Sequence, residues 1–555
     1  MVDRTSVVPS HVGDNVLPNT PLFSRLVQFA CQIPARIAIE DVRVELQKTH
    51  IHLLSDVLAL RNTLLNALDD ATRKALENRK EVYMAIVAPG GYEYTVAMLA
   101  VLALGAAAVP MTPAVPVTLV LASSENIDKC CLLARRICST SNAQFRAVEI
   151  GPFVSSPTLG AEEVIISSDR ALEENAPAVV IFTSGTMGPP KGAVMRRSYV
   201  FDCALSIADH YHLTEDDVIL HLLPVHHATG FRSGAFDEAW TWKRWKEGAA
   251  HPSRRLTFFS AVPTIWMRLR RFYQTHLRKL PAHELAPYVA GARQFRACLC
   301  GTSALPQPLN DFWTDLLQQN ILQRYGATEF GAIFKMRLGD KDTPKGSVGE
   351  LESGVDVKLS EGNEGEILIK SPHMLMKYLH DSEGTATAHD EYGYFRTGDL
   401  ARREGKYYFI LGRASLDIIK SGGYKISALD VERELLGLPY IAEAMVVGVA
   451  DEEFGQRVAA LVSLQEEDMT MDFPDKRLNT RNSLIIDKLR RDLRGRLAGY
   501  KLPTLLRIVN GELPKTATGK VQKKILGPQF FPRAWSSCPG IQKWVPDIGR
   551  QLAKL

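Results

Sequence analysis

The sequence predicts an α/β protein with a smaller α+β unit towards its C-terminal end. Two observations support this prediction: buried strands alternate with amphipathic helices through most of the chain, and the pattern changes near residues 412–414. With 555 residues the chain is too long for one compact core, so two or more domains are expected. We place the boundary between residues 1–414 and residues 415–555.

Individual elements follow from apolar runs and their flanking turns. In the larger domain we predict strands over Glu81–Val87, Ala178–Phe182, Arg296–Leu299 and Thr118–Leu121, and a buried helix running into a buried strand over Val96–Met111. In the smaller domain we predict a helix over Val431–Leu436, a strand over Glu443–Val449 and a charged helix over Ile485–Leu497. The run Val96–Met111 is too short to span a bilayer comfortably, so no transmembrane segment is expected.

The composition indicates an ordinary globular protein without a dominant charge. Hydrophobic residues make up 46% and charged residues 23% of the chain, and the net charge is +4. No basic tract points to nucleic acid, and the N-terminal residues lack the apolar core of a signal peptide. Eight cysteines are scattered without metal spacing, which favours packed, reduced thiols in an intracellular protein.

The strongest local signal is a loop rich in glycine and hydroxyl groups, directly after the predicted strand Ala178–Phe182. Its sequence is Thr183-Ser184-Gly185-Thr186-Met187-Gly188-Pro189-Pro190-Lys191-Gly192. Glycine lets the backbone approach an anion, and hydroxyls and a lysine add hydrogen-bond donors. The order differs from the P-loop pattern Gly-x-x-x-x-Gly-Lys-[Ser/Thr], so composition alone leaves open a phosphate-binding loop or a surface turn.

The order of residues in this loop resembles the signature of the adenylate-forming superfamily, Thr-Ser-Gly-Thr-x-Gly-x-Pro-Lys-Gly. The superfamily comprises acyl-CoA synthetases, adenylation domains of peptide synthetases and beetle luciferases. The resemblance extends from roughly Glu81 to Gln522, and Met187 stands where a threonine is common. Further segments resemble its motifs in the same order: Leu223–Gly230, Cys300–Leu305, Tyr325–Glu329, Tyr394–Asp399, Gly412–Arg413, Lys420–Ser427 and Pro514–Lys520. The implied fold is a large multi-sheet N-terminal domain plus a small mobile α+β C-terminal domain.

The resemblance implies ATP and Mg²⁺ as cofactors and CoA as a co-substrate. It implies ATP contacts from Thr183, Ser184, Gly185, Thr186, Gly188, Lys191, Gly301, Thr302, Tyr325, Gly326, Asp399 and Arg413. Adenine would stack on Tyr325, and the ribose hydroxyls would donate to Asp399. Thr328 would contact phosphate and Glu329 would bind Mg²⁺, a hard cation that prefers carboxylate oxygen and bridges phosphates.

The remaining roles implied by the resemblance concern the acid, CoA and the domain movement. Lys520 is expected to be the catalytic lysine of adenylate formation, and His227 the gate of the acyl pocket. Gly422 and Gly423 are expected to line the pantetheine channel. Ser415 takes the hinge position, where many relatives have Asp or Lys.

The predicted function is that of an ATP-dependent acyl-CoA ligase. It would convert a carboxylic acid to acyl-AMP with release of pyrophosphate and then transfer the acyl group to CoA. The alternatives are a stand-alone adenylating enzyme that feeds a carrier protein, a luciferase-like monooxygenase, and a nucleotide-binding pseudoenzyme. Residues 415–432 and 261–266 look most like the malonyl-CoA synthetase branch, and Arg296 is a candidate to bind the second carboxylate of a short diacid.

Two segments look short beside the superfamily pattern. A helix-sized stretch is missing between Val117 and Thr118, and an apolar helix and a strand are missing between Gly230 and Phe231. The second gap would remove part of the acyl-pocket wall and one sheet edge. These gaps are the reason for keeping the pseudoenzyme alternative.

The last residues of the sequence suggest a cellular address. Ala553-Lys554-Leu555 is a conservative variant of the Ser-Lys-Leu peroxisomal signal. We therefore expect recognition by a peroxisomal import receptor and location in the peroxisome, and a cytoplasmic location otherwise.

Overall fold

A computed structural model describes residues 14–110, 119–140, 146–183, 191–222, 236–303, 305–465, 484–515 and 521–545. In these ranges the α-helices are α1 (Pro21–Ala30), α2 (His50–Ala67), α3 (Asp70–Glu77), α4 (Tyr92–Ala103), α5 (Ile127–Thr140), α6 (Arg197–His210), α7 (Glu238–Ala250), α8 (Pro263–Thr275), α9 (Ala282–Arg293), α10 (Gln307–Leu317), α11 (Ser382–Thr387), α12 (Ala428–Leu435), α13 (Ile486–Leu493) and α14 (Lys523–Phe530). None of these helices combines the length and hydropathy needed to cross a membrane.

The strands fall into large and small sheets. They are β1 (Val16–Pro18), β2 (Ile37–Asp41), β3 (Leu46–Thr49), β4 (Tyr83–Val87), β5 (Ala107–Pro110), β6 (Leu119–Ala122), β7 (Arg146–Glu149), β8 (Ile165–Ser167), β9 (Pro177–Phe182), β10 (Gly192–Arg196), β11 (Ile219–His221), β12 (Phe258–Ala261), β13 (Ala297–Cys300), β14 (Ile321–Ala327), β15 (Gly331–Lys335), β16 (Glu350–Leu351), β17 (Asp356–Glu361), β18 (Glu364–Lys370), β19 (Lys377–Tyr378), β20 (Phe395–Glu404), β21 (Tyr407–Arg413), β22 (Ile418–Ser421), β23 (Tyr424–Ser427), β24 (Ile441–Asp451), β25 (Gly455–Leu464), β26 (Leu505–Val509) and β27 (Ile541–Lys543).

A seven-stranded sheet forms the first layer of the larger domain. Its order is β19-β10-β9-β5-β4-β6-β7; the five strands from β9 to β7 are parallel, and β10 pairs antiparallel with both β9 and β19. Strands such as β9 are apolar on both faces because helices cover both sides of a parallel sheet. The predicted strands at 81–87, 178–182 and 118–121 and the helix–strand pair at 96–111 are confirmed as β4, β9, β6 and α4–β5.

The order of strands β5, β4 and β6 bears on the short segment predicted near residue 117. Strands β5 and β6 lie on opposite sides of β4 and run parallel to it. Only residues 111–118 connect them. A parallel connection usually takes a dozen or more residues and includes a helix. The connection here is therefore shorter than the sheet order normally requires.

A ten-stranded sheet forms the second layer, with order β11-β12-β13-β14-β15-β16-β21-β20-β18-β17. Strands β11 to β14 are parallel, and the others pair antiparallel. Four fully buried tryptophans anchor the helices on its parallel half: Trp242, Trp245, Trp266 and Trp313. Among the described residues β11 is the edge strand, so the strand expected beyond it is not part of the described sheet.

The smaller domain has its own sheet and its own core. Its strands run β23-β22-β25-β26-β27, with β24 also paired to β25. In the described residues, its two apolar clusters contain residues 419–544 only, and the clusters of the larger domain stop at residue 410. The helix, strand and helix predicted from residue 431 onwards are confirmed as α12, β24 and α13. The division at 414/415 stays a prediction that falls between these cores.

Candidate active site

A large cleft with a volume of about 2760 Å³ lies between the two domains. The predicted site residues that line it are Thr183, Lys191, Gly301, Thr302, Tyr325, Gly326, Thr328, Glu329, Asp399 and Arg413. These residues come from five separate stretches of the larger domain, and the fold brings them to one surface. The predicted residues Ser184, Gly185, Thr186, Gly188, His227 and Lys520 lie outside the described residues.

The two ends of the glycine-rich loop are fixed by the strands that flank it. Strand β9 ends at Phe182, β10 begins at Gly192, and these two residues pair antiparallel. The Thr183 amide donates to the Lys191 carbonyl at 2.9 Å, which closes the loop at its base. The loop thus follows a buried strand, as the sequence predicts.

Lys191 already has an anionic partner within the cleft. Its Nζ lies 2.9 Å from Asp381 Oδ2 and 4.7 Å from the ring centre of Tyr378. The hydrogen bond from Lys191 lowers the pKa of Asp381. The Tyr378 hydroxyl donates to Glu329 Oε1 at 3.2 Å, so a lysine, a tyrosine and two carboxylates contact one another along this part of the cleft.

A second polar cluster links β14 to β20 and β21. The Tyr325 hydroxyl donates to Asp399 Oδ2 at 2.7 Å, and Arg413 Nε donates to Asp399 Oδ1 at 2.8 Å. The Tyr325 ring stacks on Phe334, with ring centres 5.7 Å apart. Burial, and then the nearby Asp399 carboxylate, raise the pKa of Tyr325 well above its usual range. The phenol therefore stays protonated and acts as a donor.

Close backbone contacts shape the cleft wall between β13 and β15. A Cβ at Gly326 would lie 2.1 Å from the Gly331 carbonyl oxygen, so no side chain fits at this crossing of β14 and β15. Thr302 adopts a φ of +71°, a conformation uncommon for a β-branched residue. Its hydroxyl is buried and has no hydrogen-bond partner among the described residues. Such strain is typical of functional sites, and it lies here at the end of β13.

The smaller domain faces the cleft with the segments on either side of Lys520. Lys515 and Val521 form an antiparallel bridge and both line the cleft, as does Lys523. The predicted channel glycines Gly422 and Gly423 form the turn between β22 and β23 and do not line the cleft. The described residues on either side of 516–520, rather than the glycine turn, therefore line the cleft.

The sequence-based assignment of Arg296 to the acid needs correction. Arg296 does not line the cleft; its guanidinium donates to Asp217 and to the carbonyls of Tyr211 and His212. The residue precedes β13, whereas ligands in parallel sheets bind beyond the carboxyl ends of the strands. Arg296 thus ties the amino end of β13 to the chain after α6.

Sequence reasoning missed an arginine that does line the cleft. Arg324 lies in β14 directly before Tyr325, and its Cγ would be 3.2 Å from a Cβ at Gly301. Its Nη2 lies 3.5 Å from Ser260 Oγ, and no ion pair is formed by Arg324 within the described ranges. The sequence signal that could have identified Arg324 was its position directly before a recognised motif, within a strand.

The fold and this cleft define a member of the AMP-binding enzyme family, to which the chain belongs. The model of the AMP-binding enzyme family matches residues 70–379, and that of its C-terminal domain matches residues 430–520. The chain is 31% identical over 546 residues to the acyl-CoA ligase oryP of Aspergillus oryzae, covering 94% of each protein. It is 32% identical over 466 residues to the mitochondrial malonate–CoA ligase ACSF3 of the mouse, covering 76% of this chain and 75% of that protein.

Among solved structures, ATP-bound MatB of Rhodopseudomonas palustris has the same fold, with a TM-score of 0.71 and 22% sequence identity. The match covers 92% of this chain and 98% of that one. The protein is an ATP-dependent acyl-CoA ligase that forms an acyl-adenylate, releases pyrophosphate and transfers the acyl group to CoA. The carrier-protein, luciferase-like and pseudoenzyme alternatives are not favoured.

Proposed function

We propose that the acid is a short dicarboxylate, with malonate as the first candidate. The support is twofold: several relatives are named malonate–CoA ligases, and the cleft holds Arg324, a cation available to a second carboxylate. The observation that carries the proposal is the position of Arg324.

Arg324 lies in a partly desolvated part of the cleft. Burial raises the pKa of the half-buried Cys203 thiol and of the buried Cys300 thiol, and the positive charge of Arg324 opposes that rise in both. A guanidinium away from bulk water gains most from a planar carboxylate, which it can bind through two parallel hydrogen bonds. The side chain lies beside Gly301, where a Cβ would be 3.2 Å from Arg324 Cγ, and both residues line the cleft.

The test is a comparison of acids in the wild-type protein and in Arg324→Leu. We expect CoA-dependent AMP release with malonate to exceed that with propionate, which has the same number of carbons but one carboxylate. Loss of a half-buried charged partner should lower kcat/KM for malonate about 100-fold and leave propionate within a few-fold. Arg278→Leu, which removes an exposed arginine at the same cleft, is the matched control. Equal use of both acids by the wild-type protein would exclude the dicarboxylate assignment.

The nucleotide roles follow from the same cleft. Tyr325 and Asp399 would hold the adenosine, and Thr183, Lys191 and Lys520 would neutralise the phosphates as two anions approach each other. Glu329 and the adjacent Thr328 fit Mg²⁺, which is usually bound by one or two carboxylates together with substrate phosphates. Bound there, Mg²⁺ would neutralise phosphate charge. The acyl-AMP would then meet CoA after rotation about Ser415, which would withdraw Lys520 and bring in Gly422 and Gly423.

Location is a separate proposal. Ala553-Lys554-Leu555 lies outside the described residues and stays a predicted peroxisomal address, whereas the mouse relative is named as mitochondrial. A fluorescent protein fused to the N-terminus should collect in peroxisomes and become cytosolic when these three residues are removed. A mitochondrial or cytosolic signal from the intact fusion would contradict the proposal.

A further inference from the structure

A buried group of three charges lies inside the smaller domain, at its face towards the cleft. Lys523 Nζ lies 2.6 Å from Asp417 Oδ1 and 2.7 Å from Glu432 Oε1, and all three side chains are no more than 14% exposed. The Val446 amide also donates to Glu432 at 2.6 Å, which fixes that carboxylate against β24. None of these residues has a part in the nucleotide contacts described above.

The second oxygen of Asp417 reaches across the predicted hinge. Asp417 Oδ2 accepts from the Arg413 amide at 3.0 Å, and the Asp417 amide donates to the Arg413 carbonyl at 2.8 Å. These two bonds enclose Ser415. Gly412 makes the approach possible, because a Cβ there would lie 2.5 Å from the Asp417 Cβ. Rotation about Ser415 must open this clasp, since its two members lie on opposite sides of the hinge.

Lys523 is also the first residue of α14, three positions after Lys520. The segment between Lys515 and Val521 is closed at its base by the bridge between those two residues. On the other side Lys515 forms an ion pair with Glu443. The segment that carries Lys520 is therefore held at both ends by ion pairs, one of which includes the hinge carboxylate.

Hydrogen bonds also connect the hinge to the predicted ribose-binding residue. Arg413, whose amide binds Asp417, donates from its side chain to Asp399. A continuous series of hydrogen bonds thus connects the predicted ribose carboxylate, the hinge and the base of the Lys520 segment. The three hydrogen bonds of this series have donor–acceptor distances of 2.6–3.0 Å.

We propose that Asp417 and Lys523 are positioning residues that act as a latch: Asp417 clasps the hinge in the adenylate-forming arrangement and, through Lys523, anchors the start of α14, three residues after Lys520. This proposal rests on the role of Lys520 given above. The latch affects the first half-reaction, because transfer to CoA requires the clasp to be open. A merely structural cluster would affect both half-reactions in parallel.

The test measures the two half-reactions separately in Asp417→Asn, Lys523→Met and Lys523→Arg. ATP–pyrophosphate exchange should fall about 10- to 100-fold in the first two, the loss expected for one charge-assisted hydrogen bond. CoA-dependent consumption of supplied acyl-AMP should stay within two-fold or rise. Lys523→Arg should recover much of the exchange. Lys524→Met, an exposed neighbour on the same helix, should leave both half-reactions unchanged.

The combination with Lys520→Ala separates the latch from the role of Lys520 itself. Lys520→Ala alone should reduce exchange to a small residual rate and spare transfer; equal loss of both would refute the role of Lys520. If that role holds, adding Asp417→Asn to Lys520→Ala should lower the residual exchange no further, since both changes act through one group. Parallel loss of both half-reactions in Asp417→Asn, or additive loss in the double variant, would overturn the latch. If Lys523→Met does not fold, Asp417→Asn and Lys523→Arg decide the matter.

Discussion

Replacing Asp399 by asparagine tests the nucleotide site with almost no change of shape. The Asp399 side chain is 13% exposed and binds two donors, the Tyr325 hydroxyl at 2.7 Å and Arg413 Nε at 2.8 Å. A carboxylate offers about four acceptor positions, so about two remain for the ribose hydroxyls. Asparagine keeps one acceptor oxygen and turns an amide donor towards groups that are donors themselves.

The expected cost follows from the bonds that are lost. Hydrogen bonds to a charged group contribute about 1.5–3 kcal/mol each, and about 1.4 kcal/mol corresponds to a factor of ten in binding. Loss of one ribose bond should therefore raise the KM for ATP about 10- to 150-fold. The rate at saturating ATP should fall less, because the ribose role assigned to Asp399 does not involve the reacting phosphate.

The assay is ATP–pyrophosphate exchange with ATP, 2′-deoxy-ATP and 3′-deoxy-ATP. The wild-type protein should prefer ATP over at least one deoxy analogue, and Asp399→Asn should lose much of that preference. Asp356→Asn is the matched control, because Asp356 accepts from the Tyr394 hydroxyl on the same sheet but does not line the cleft. An unchanged KM for ATP and an unchanged preference in Asp399→Asn would refute the ribose assignment.

Two further predictions concern a metal ligand and a buried ion pair. Glu329→Gln should raise the Mg²⁺ concentration needed for half-maximal exchange at least ten-fold, because an amide binds a hard cation poorly; an unchanged Mg²⁺ dependence would contradict the assignment. Although burial alone would raise it, hydrogen bonds from His210 and Lys335 lower the pKa of Glu352 from 4.5 to about 2. The associated stability, about 3 kcal/mol, should be present above pH 4.5 and disappear as the pH falls towards 2. Glu352→Gln should lose it at neutral pH in thermal unfolding, whereas Glu404→Gln, in an exposed pair, should change little.

Local sequence patterns predicted the elements of this fold well because each pattern has a local cause. The apolar runs at β4 and β9 identify strands buried on both faces. The glycine-rich motif after β9 can be recognised because its residues are consecutive in the sequence. The strand order was not predicted, because it depends on pairings such as that of β4 with both β5 and β6. Pairing partners are distant in sequence and leave no local mark.

In the candidate site, too, local motifs could be predicted from the sequence and contacts between distant residues could not. The described motif residues of the larger domain line one cleft, but the contacts that organise it join residues far apart, such as Tyr325 with Asp399 and Lys523 with Asp417. Sequence position could not reveal these pairs, since either charge could equally face solvent. The error at Arg296 has a geometric cause: it precedes the strand, whereas Arg324 lies within one that leads to the cleft.

The two short segments bear on the acid more than on the nucleotide. The contacts around Asp399 and Glu329 involve β14, β19, β20 and β21, and none of these strands adjoins residues 117–118 or 230–231 in the chain. Strand β11, by contrast, ends at His221, and the chain after it leads to the gap at residues 230–231. Part of the acyl-pocket wall was expected at that gap. A shortened wall would change which acid fits and would leave the phosphate chemistry intact. Activity should therefore depend sharply on the acid offered, and an inactive result with one acid is not evidence for a pseudoenzyme.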